Sequence, residues 1–591
     1  MRPGNPPKAR ADLPDQADQG ISSGTGMGTF LLLFPGSVFF TFLVTVGAGL
    51  WGTWLPSLGY LPAMGKTTLT LHPWTELFNH PAIGGAVRST LVSGWGTALG
   101  AFLLSGLLFA MNYGSRTWGV MEKMLAPILS VPHAAFAIGL SFLISPGGWL
   151  VRMVSPGLTG VDLPPAWVIP KDPQGLSLMI ALVLKETPFM ILVMAGALQQ
   201  IDYNATMAVG RSLGYRPAQV RLKILLPQLF PHMRLSLYAV IAYSLSVVDM
   251  SMILGPTTPP TLPVLVVQWF NDPMLETRLM GAAGATLLLG MVLGSLLLAY
   301  ILEKAIIRCF EWRVANGRRE TLLSPMTPVG RTLLMGGMTV FTLTMVILVI
   351  WSFTWQWPFP EVLPAQWSFR FWEKSIHDLG SPMGTTLITG LAATMAGLVL
   401  TIGCLEYEAT LSKTIAINRY KKCMSIIYLP LLLPQVAFIF GVQMLLTWFH
   451  LDASATGLIW SHLIFVLPYI FLTLGSVYRS FDRRIMTTAT LLCGSPMKAF
   501  LKVKLPMLLR PILFSFAVGI SVSVAQYIPT LFIGAGRFST ITTEVVALAS
   551  GSDRRVAAVY ALYQQLIPMG VYLLAIFVPK LMFINRKRMQ R

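Results

Sequence analysis

The sequence predicts an all-α integral membrane protein built from two copies of a six-helix unit. Three observations lead there. Of the 591 residues 54% are hydrophobic and only 11% charged, against roughly 25% charged in soluble domains. About twelve apolar runs approach the ~20 residues that cross a bilayer core. The second half of the chain also repeats short motifs of the first.

The runs lie near 29–51, 86–110, 125–145, 177–199, 235–255 and 281–303, then near 332–353, 383–405, 424–448, 455–478, 512–534 and 558–580. Helix is expected for each, because a lipid-exposed open sheet leaves backbone groups unpaired in hydrocarbon. Residues 1–28 are rich in Pro, Gly, Asp and Gln and are expected to be a cytoplasmic tail. The run starting at Thr29 is too long for the apolar core of a secretory signal, so it reads as an uncleaved anchor. The expected division is a first half over 29–310, a cytoplasmic linker over 311–331 and a second half over 332–591.

The formal net charge of +19 raises the question of a nucleic-acid partner, which its distribution answers. Of the 43 Lys and Arg, 32 fall in the two tails and in alternate loops, chiefly 200–234, 304–331, 406–423 and 479–511. That is the positive-inside pattern and puts both termini in the cytoplasm. A single basic face interleaved with aromatic platforms, as nucleic acid requires, is not seen. The four cysteines (Cys309, Cys404, Cys423, Cys493) lie in or beside the cytoplasmic segments without metal-ligand spacing. In a reducing compartment they are not expected to pair. Seven scattered histidines complete no metal set, and no cofactor is expected.

The repeat is specific. "VPHAAFAIGLSFL" at 131–143 matches "LPQVAFIFGVQML" at 433–445, aligning Pro132, Phe136 and Gly139 with Pro434, Phe438 and Gly441 at an offset of 302. "TPFMIL" at 187–192 matches "LPYIFL" at 467–472 at an offset of 280, as Asp202 matches Asp482. Pro227 and Gly255 match Pro506 and Gly534 at 279. The drop between the third and fourth runs locates an insertion in the external segment 146–176. Each half holds six spans, so the copies keep one orientation and form a parallel repeat, an arrangement found in transporters.

The basic loops after spans four and ten share a grammar. In "DYNATMAVGRSLGYRPAQVRLKILLP" Asp202 is placed to cap a short helix, Gly214 to end it in the left-handed conformation, and Pro217 to open a second short helix. Pro227 is expected to stop that helix. That helix carries Val220, Ile224 and Leu225 toward one side, with Arg221 and Lys223 elsewhere, and Arg216 and Leu226 flank it within the same loop. The second copy, "TLLCGSPMKAFLKVKLP", has Cys493 where the first has Gly214, with Gly494 free to take the left-handed turn. Ser495–Pro496 promises a stronger cap there, and Val503, Leu505 and Pro506 repeat Ile224, Leu226 and Pro227.

These loops resemble the EAA loops of ABC importer permeases, in which a pattern close to E-A-A-three residues-G-nine residues-I-x-L-P forms a coupling helix. Both copies keep the proline end and the glycine turn. Both lose the namesake triplet, whose positions hold Ala208, Val209 and Gly210, then Thr487, Thr488 and Ala489. Fused two-copy permeases resemble the ferric-iron, thiamine, putrescine and sulfate class, and within it this chain looks most like the YnjC-like permeases. The resemblance covers about 80–310 and 380–580 and implies type I (MetI-like) permease units. It also implies two cytoplasmic ABC ATPase subunits seated on the loops, a periplasmic or extracellular solute-binding protein, and a bacterial inner membrane setting. The substrate would be thiamine, ferric iron or another small solute. No G-x-x-x-x-G-K-[ST] loop occurs, so ATP hydrolysis is expected on the partner subunits and not here. A secondary transporter could share the twelve spans but has no use for paired docking loops.

Ionisable residues within spans cost some ~2.5–3.5 kcal/mol on insertion scales and often mark a path. Lys185 and Glu186 fall in span four, Asp249 in span five, and Gln526 with Tyr527 in span eleven. They are the candidates for a translocation path between the halves, set against a purely structural pairing of Lys185 and Glu186.

Overall fold

The computed structural model describes residues 25–315, 327–411, 414–551 and 553–582. Most of the expected tail over 1–28, much of the linker over 311–331 and the basic C-terminal tail lie outside the described residues. Ten helices there are long and apolar enough to span a membrane, or up to twelve if two bent pairs each count as one span. We number twelve helices: α1 (Thr25–Ser57), α2 (Ile83–Asn112), α3 (His133–Ile144), α4 (Leu176–Leu198), α5 (Leu226–Ser246) and α6 (Thr277–Ala315) in the first half. The second half has α7 (Thr327–Ser352), α8 (Gly380–Thr410), α9 (Gln435–Trp448), α10 (Ala455–Arg479), α11 (Leu509–Val524) and α12 (Arg554–Met582).

Four expected spans have different limits, each for a local reason. The run at 125–145 is split at Pro132, and the run at 424–448 at Pro434. A residue before proline is pushed out of the helical region, and Val131 (ψ 124°) and Leu433 (ψ 137°) are extended accordingly. Span nine therefore bends by 105° between Ile415–Leu432 and Gln435–Trp448. The runs at 235–255 and 512–534 also break. α5 ends at Ser246 and a short helix follows at Asp249–Leu254; α11 ends at Val524 and is followed by Ile528–Gly534.

The packing obeys the pseudo-two-fold symmetry of the repeat. Within the halves α2 lies on α4 and α5, as α8 lies on α10 and α11. The first helix of each half crosses to the other: α1 packs on α8 and α9, and α7 packs on α2 and α3. Glycines make those crossings possible. A Cβ on Gly441 of α9 would stand 2.0 Å from the Gly49 carbonyl oxygen of α1, and one on Gly139 of α3 2.5 Å from the Thr344 carbonyl oxygen of α7. Gly139 and Gly441 are the pair aligned by the sequence repeat. Small residues let membrane helices approach backbone to backbone, where dispersion and weak polar contacts replace the missing hydrophobic drive.

Each half also carries a short outer helix, Leu262–Phe270 or Ile541–Ala549. Its first N–H is donated to a threonine near the start of the second helix: Leu262 N–H to Thr90 Oγ1 at 2.8 Å, and Ile541 N–H to Thr386 Oγ1 at 2.9 Å. The insertion forms a short helix, Trp149–Val154, that docks on a hairpin of the second half, where Thr354–Gln356 pairs with Gln366–Trp367. The Arg152 guanidinium donates to the carbonyls of Pro358 (2.7 Å) and Glu361 (3.1 Å) and lies over the Trp357 ring.

Asp172 ends the insertion by accepting the N–H groups of Leu176 (2.7 Å) and Ser177 (2.8 Å) at the start of α4. Burial pushes its carboxyl up, but the bonds from Ser177 and Leu176 outweigh that and hold it below the usual value of about 3.9. A depressed carboxyl stabilises above the unfolded value, and the effect is lost as pH falls through the folded one. Asp172→Ala should cost about 1 kcal/mol at neutral pH. The stabilities of the two proteins should draw together as pH falls through the lowered carboxyl value, where both carry an uncharged residue at this position.

Candidate docking elements and translocation path

The first docking element begins with the helix Tyr203–Ser212, where Asp202 Oδ1 accepts the Ala205 N–H at 3.0 Å. Gly214 has φ +83°, the left-handed turn expected of it. Gly210 faces Val220 so closely that a Cβ would meet Val220 Cγ2 at 2.6 Å, which folds the two short helices onto each other. Pro217 opens Pro217–Val220, and Gln219 Oε1 accepts the Arg216 N–H at 2.9 Å.

Pro227 does not stop this helix. Residues Arg221–Leu225 form a π-turn in which the Leu226 N–H reaches back five residues to the Arg221 carbonyl. Proline lacks an N–H and clashes with the carbonyl four residues earlier, and the wider turn relieves both problems. The chain passes directly into α5, so Pro217–Ser246 forms one apolar span. The second copy repeats the device with the π-turn Phe500–Lys504 ahead of Pro506, then bends by 73° into α11. Cys493 is the last residue of Arg483–Cys493, and Gly494 takes the left-handed turn at φ +66°. The cap at Ser495 is weaker than its sequence promised: its hydroxyl makes no capping bond, and Pro496 alone marks the helix start.

Both elements present apolar residues outward at matched positions. Leu213 and its counterpart Leu492 are 54% and 83% exposed, with Val209 and Leu491 beside them. The elements are also fastened inward. Arg221 donates to the Tyr113 carbonyl at 2.6 Å. Lys504 is buried and lies 2.5 Å from Glu406 Oε1 near the end of α8, under the Tyr478 ring, whose hydroxyl donates to the same carboxylate oxygen. Alongside, Arg479 binds Glu408 at 3.0 Å.

At the start of α3 and α9 the two halves contribute a polar set. His133, the first residue of α3, lies 3.5 Å from Glu186 and packs on the Tyr243 ring. Its repeat counterpart Gln435 donates to Gln526 Oε1 at 3.3 Å. Asp249 opens the short helix after α5, where the N-terminal end of a helix favours negative charge. Asp249 lies within electrostatic range of His133, Tyr243 and Tyr527, and Glu186 within range of Tyr243 and Tyr469. Tyr527 reaches across the halves and donates to Met252 Sδ at 3.5 Å. Lys185 turns away: its ammonium donates to the carbonyls of Ile128 (3.0 Å) and Val131 (2.5 Å), at the end of the helix Arg116–Ser130.

No protein-family model matches the chain. Over 514 residues it is 32% identical to the inner membrane ABC transporter permease protein YnjC of Escherichia coli K12, an alignment covering 87% of this chain and 91% of that protein. The chain belongs to the ABC transporter permeases. The permease is also 26% identical over 229 residues to the putrescine transport system permease protein PotI of the same strain, covering 35% of its own length and 75% of PotI. A relative that matches so small a share of the permease while most of PotI is covered is consistent with a two-copy chain set beside a shorter one.

Of the path candidates, Glu186, Asp249, Gln526 and Tyr527 converge on the polar set between the halves, while the Lys185 ammonium donates to the carbonyls of Ile128 and Val131. The permease brings in four residues that sequence reasoning passed over: His133, Tyr243, Gln435 and Tyr469. One signal was available, since His133 and Gln435 share the 302-residue offset of the neighbouring prolines. In the docking region Glu406 and Tyr478 were also missed, because their partner Lys504 lies far along the chain.

Proposed function

We propose that the permease is the membrane subunit of a binding-protein-dependent importer, coupled to ATP hydrolysis through the two docking elements. The carrying observation is their duplication: two copies of one helix–turn–helix, each with an outward leucine at the matched position, suit two like ATPase subunits. The partners are two cytoplasmic ABC ATPases and a periplasmic or extracellular solute-binding protein. The protein spans the inner membrane many times, in contact with lipid, with both termini cytoplasmic, an orientation supported by the basic loops.

The solute is small, in the range of thiamine, ferric iron or a comparable species, and the polar set favours a cation. Glu186 and Asp249 supply negative charge, and Tyr243, Tyr469 and Tyr527 supply ring faces that attract cations when desolvated. PotI, by its name, serves putrescine, which is cationic. In native membrane vesicles, Asp249→Asn and Glu186→Gln should each lower uptake of labelled thiamine about tenfold or more, about 1.4 kcal/mol of lost interaction. Trp448→Ala, on an exposed external position, should leave uptake unchanged. Undiminished uptake in both acidic-site variants would remove them from the path.

A further inference from the structure

The ion pair beneath the second docking element is one-sided. Lys504 corresponds to Leu225 in the first copy, a buried apolar residue, so the Lys504–Glu406 contact has no counterpart at that position. Glu406 lies near the inner end of α8, a helix of 31 residues that also packs on α1, α10 and α11. About twenty residues earlier, roughly 30 Å along the same helix axis, the Thr386 hydroxyl accepts the Ile541 N–H that starts the outer helix Ile541–Ala549. The far end of that outer helix, Leu548 and Ala549, lines a small cavity between the halves together with Ile138, Phe142 and Ile253.

We infer that α8 is a transmission rod, with Glu406 and Thr386 as positioning residues at its two ends. The reading rests on the docking role proposed above. Movement of the second docking element pulls on Lys504, whose ammonium is held by a charge-assisted bond out of water, where such contacts are stiff and costly to break. Glu406 passes the displacement to α8, and Thr386 passes it to the outer helix at the cavity. The threonine joint is present in both halves, through Thr90 and Thr386. In the first half Arg221 instead holds the Tyr113 carbonyl at the end of α2, so the ion-paired form of the link belongs to the second half.

Hydrogen exchange on the full-length protein in lipid nanodiscs tests the rod. Glu406→Gln keeps an acceptor for Tyr478 and removes the charge. Amides of 496–504 and of 541–549 should then exchange at least about tenfold faster, while those of 262–270 keep their protection. Charge exchange, Glu406→Lys with Lys504→Glu, should restore both segments. Thr386→Val should free 541–549, and Thr386→Ser should not. Faster exchange at 496–504 alone would overturn the proposal, and so would equal loosening of 262–270. Should Glu406→Gln fail to accumulate, Lys504→Met makes the same test. In the assembled complex Glu406→Gln should retain its ATPase yet move several-fold less solute per ATP hydrolysed. If the unaltered protein binds no ATPase, the docking reading fails, and the exchange result still decides whether α8 links its two ends.

Discussion

Leucine in place of Gly441 is expected to abolish stable assembly of the permease. At this crossing a bare Cβ would lie 2.0 Å from the Gly49 carbonyl oxygen, and a Cβ on Gly49 would lie 2.6 Å from the Phe438 carbonyl oxygen. Backbone stands on both sides, so no side chain can rotate away. Overpacking ordinarily costs 1–3 kcal/mol. Here the only relief is separation of α1 from α9, which forfeits an interface joining the first half to the second, so at least ~3 kcal/mol is expected. Gly47, two residues earlier and on the opposite side of α1 with nothing near its Cβ position, should accept leucine without loss. Yield of monodisperse protein and its thermal unfolding compare the two. A Gly441→Leu protein as stable as the parent would show that the crossing is not close-packed.

Prolines at both left-handed turns form the second large effect. Gly214 and Gly494 have φ +83° and +66°, whereas proline is locked near −65°. Gly214→Pro with Gly494→Pro cannot close either turn, so the helices Tyr203–Ser212 and Arg483–Cys493 lose their seating on the segments that follow. The spans do not depend on these turns, and the doubly substituted protein should still insert and purify. Its bound ATPase should fall tenfold or more, with each single substitution intermediate. Changing Cys493 should do less, because the left-handed residue is Gly494.

Much of this architecture was legible because the determinants are local or repeated. Long apolar runs located the spans, and the offset linking Gly139 to Gly441 marked the residues that let the halves cross. Gly214 and Gly494 announced their turns. The breaks after Ser246 and Val524 were not legible. "SLSVVDMSMIL" holds neither glycine nor proline at the break, and the short helix that follows it packs chiefly on α3, a contact no local residue announces. The continuity through Pro227 was hidden for another reason, since a π-turn accommodates the missing N–H without any residue that announces it. Hydropathy drew attention to Lys185, whose ammonium is bonded to carbonyls at a helix end. It passed over Tyr243 and Tyr469, whose rings are apolar enough to look like filler. Glu406 and Lys504 lie 98 residues apart, and only the fold brings them together.

Two duplicated elements should seat two ATPase subunits. Native mass spectrometry of the full-length permease, gently extracted from its own membrane, measures this directly. One permease should be found with two copies of an ATPase that carries a phosphate-binding loop. Leu213→Asp with Leu492→Asp should strip both copies and leave the permease monodisperse. A permease that elutes alone while its vesicles transport solute without ATP, or a double aspartate variant that keeps both subunits, would rule out docking through these elements.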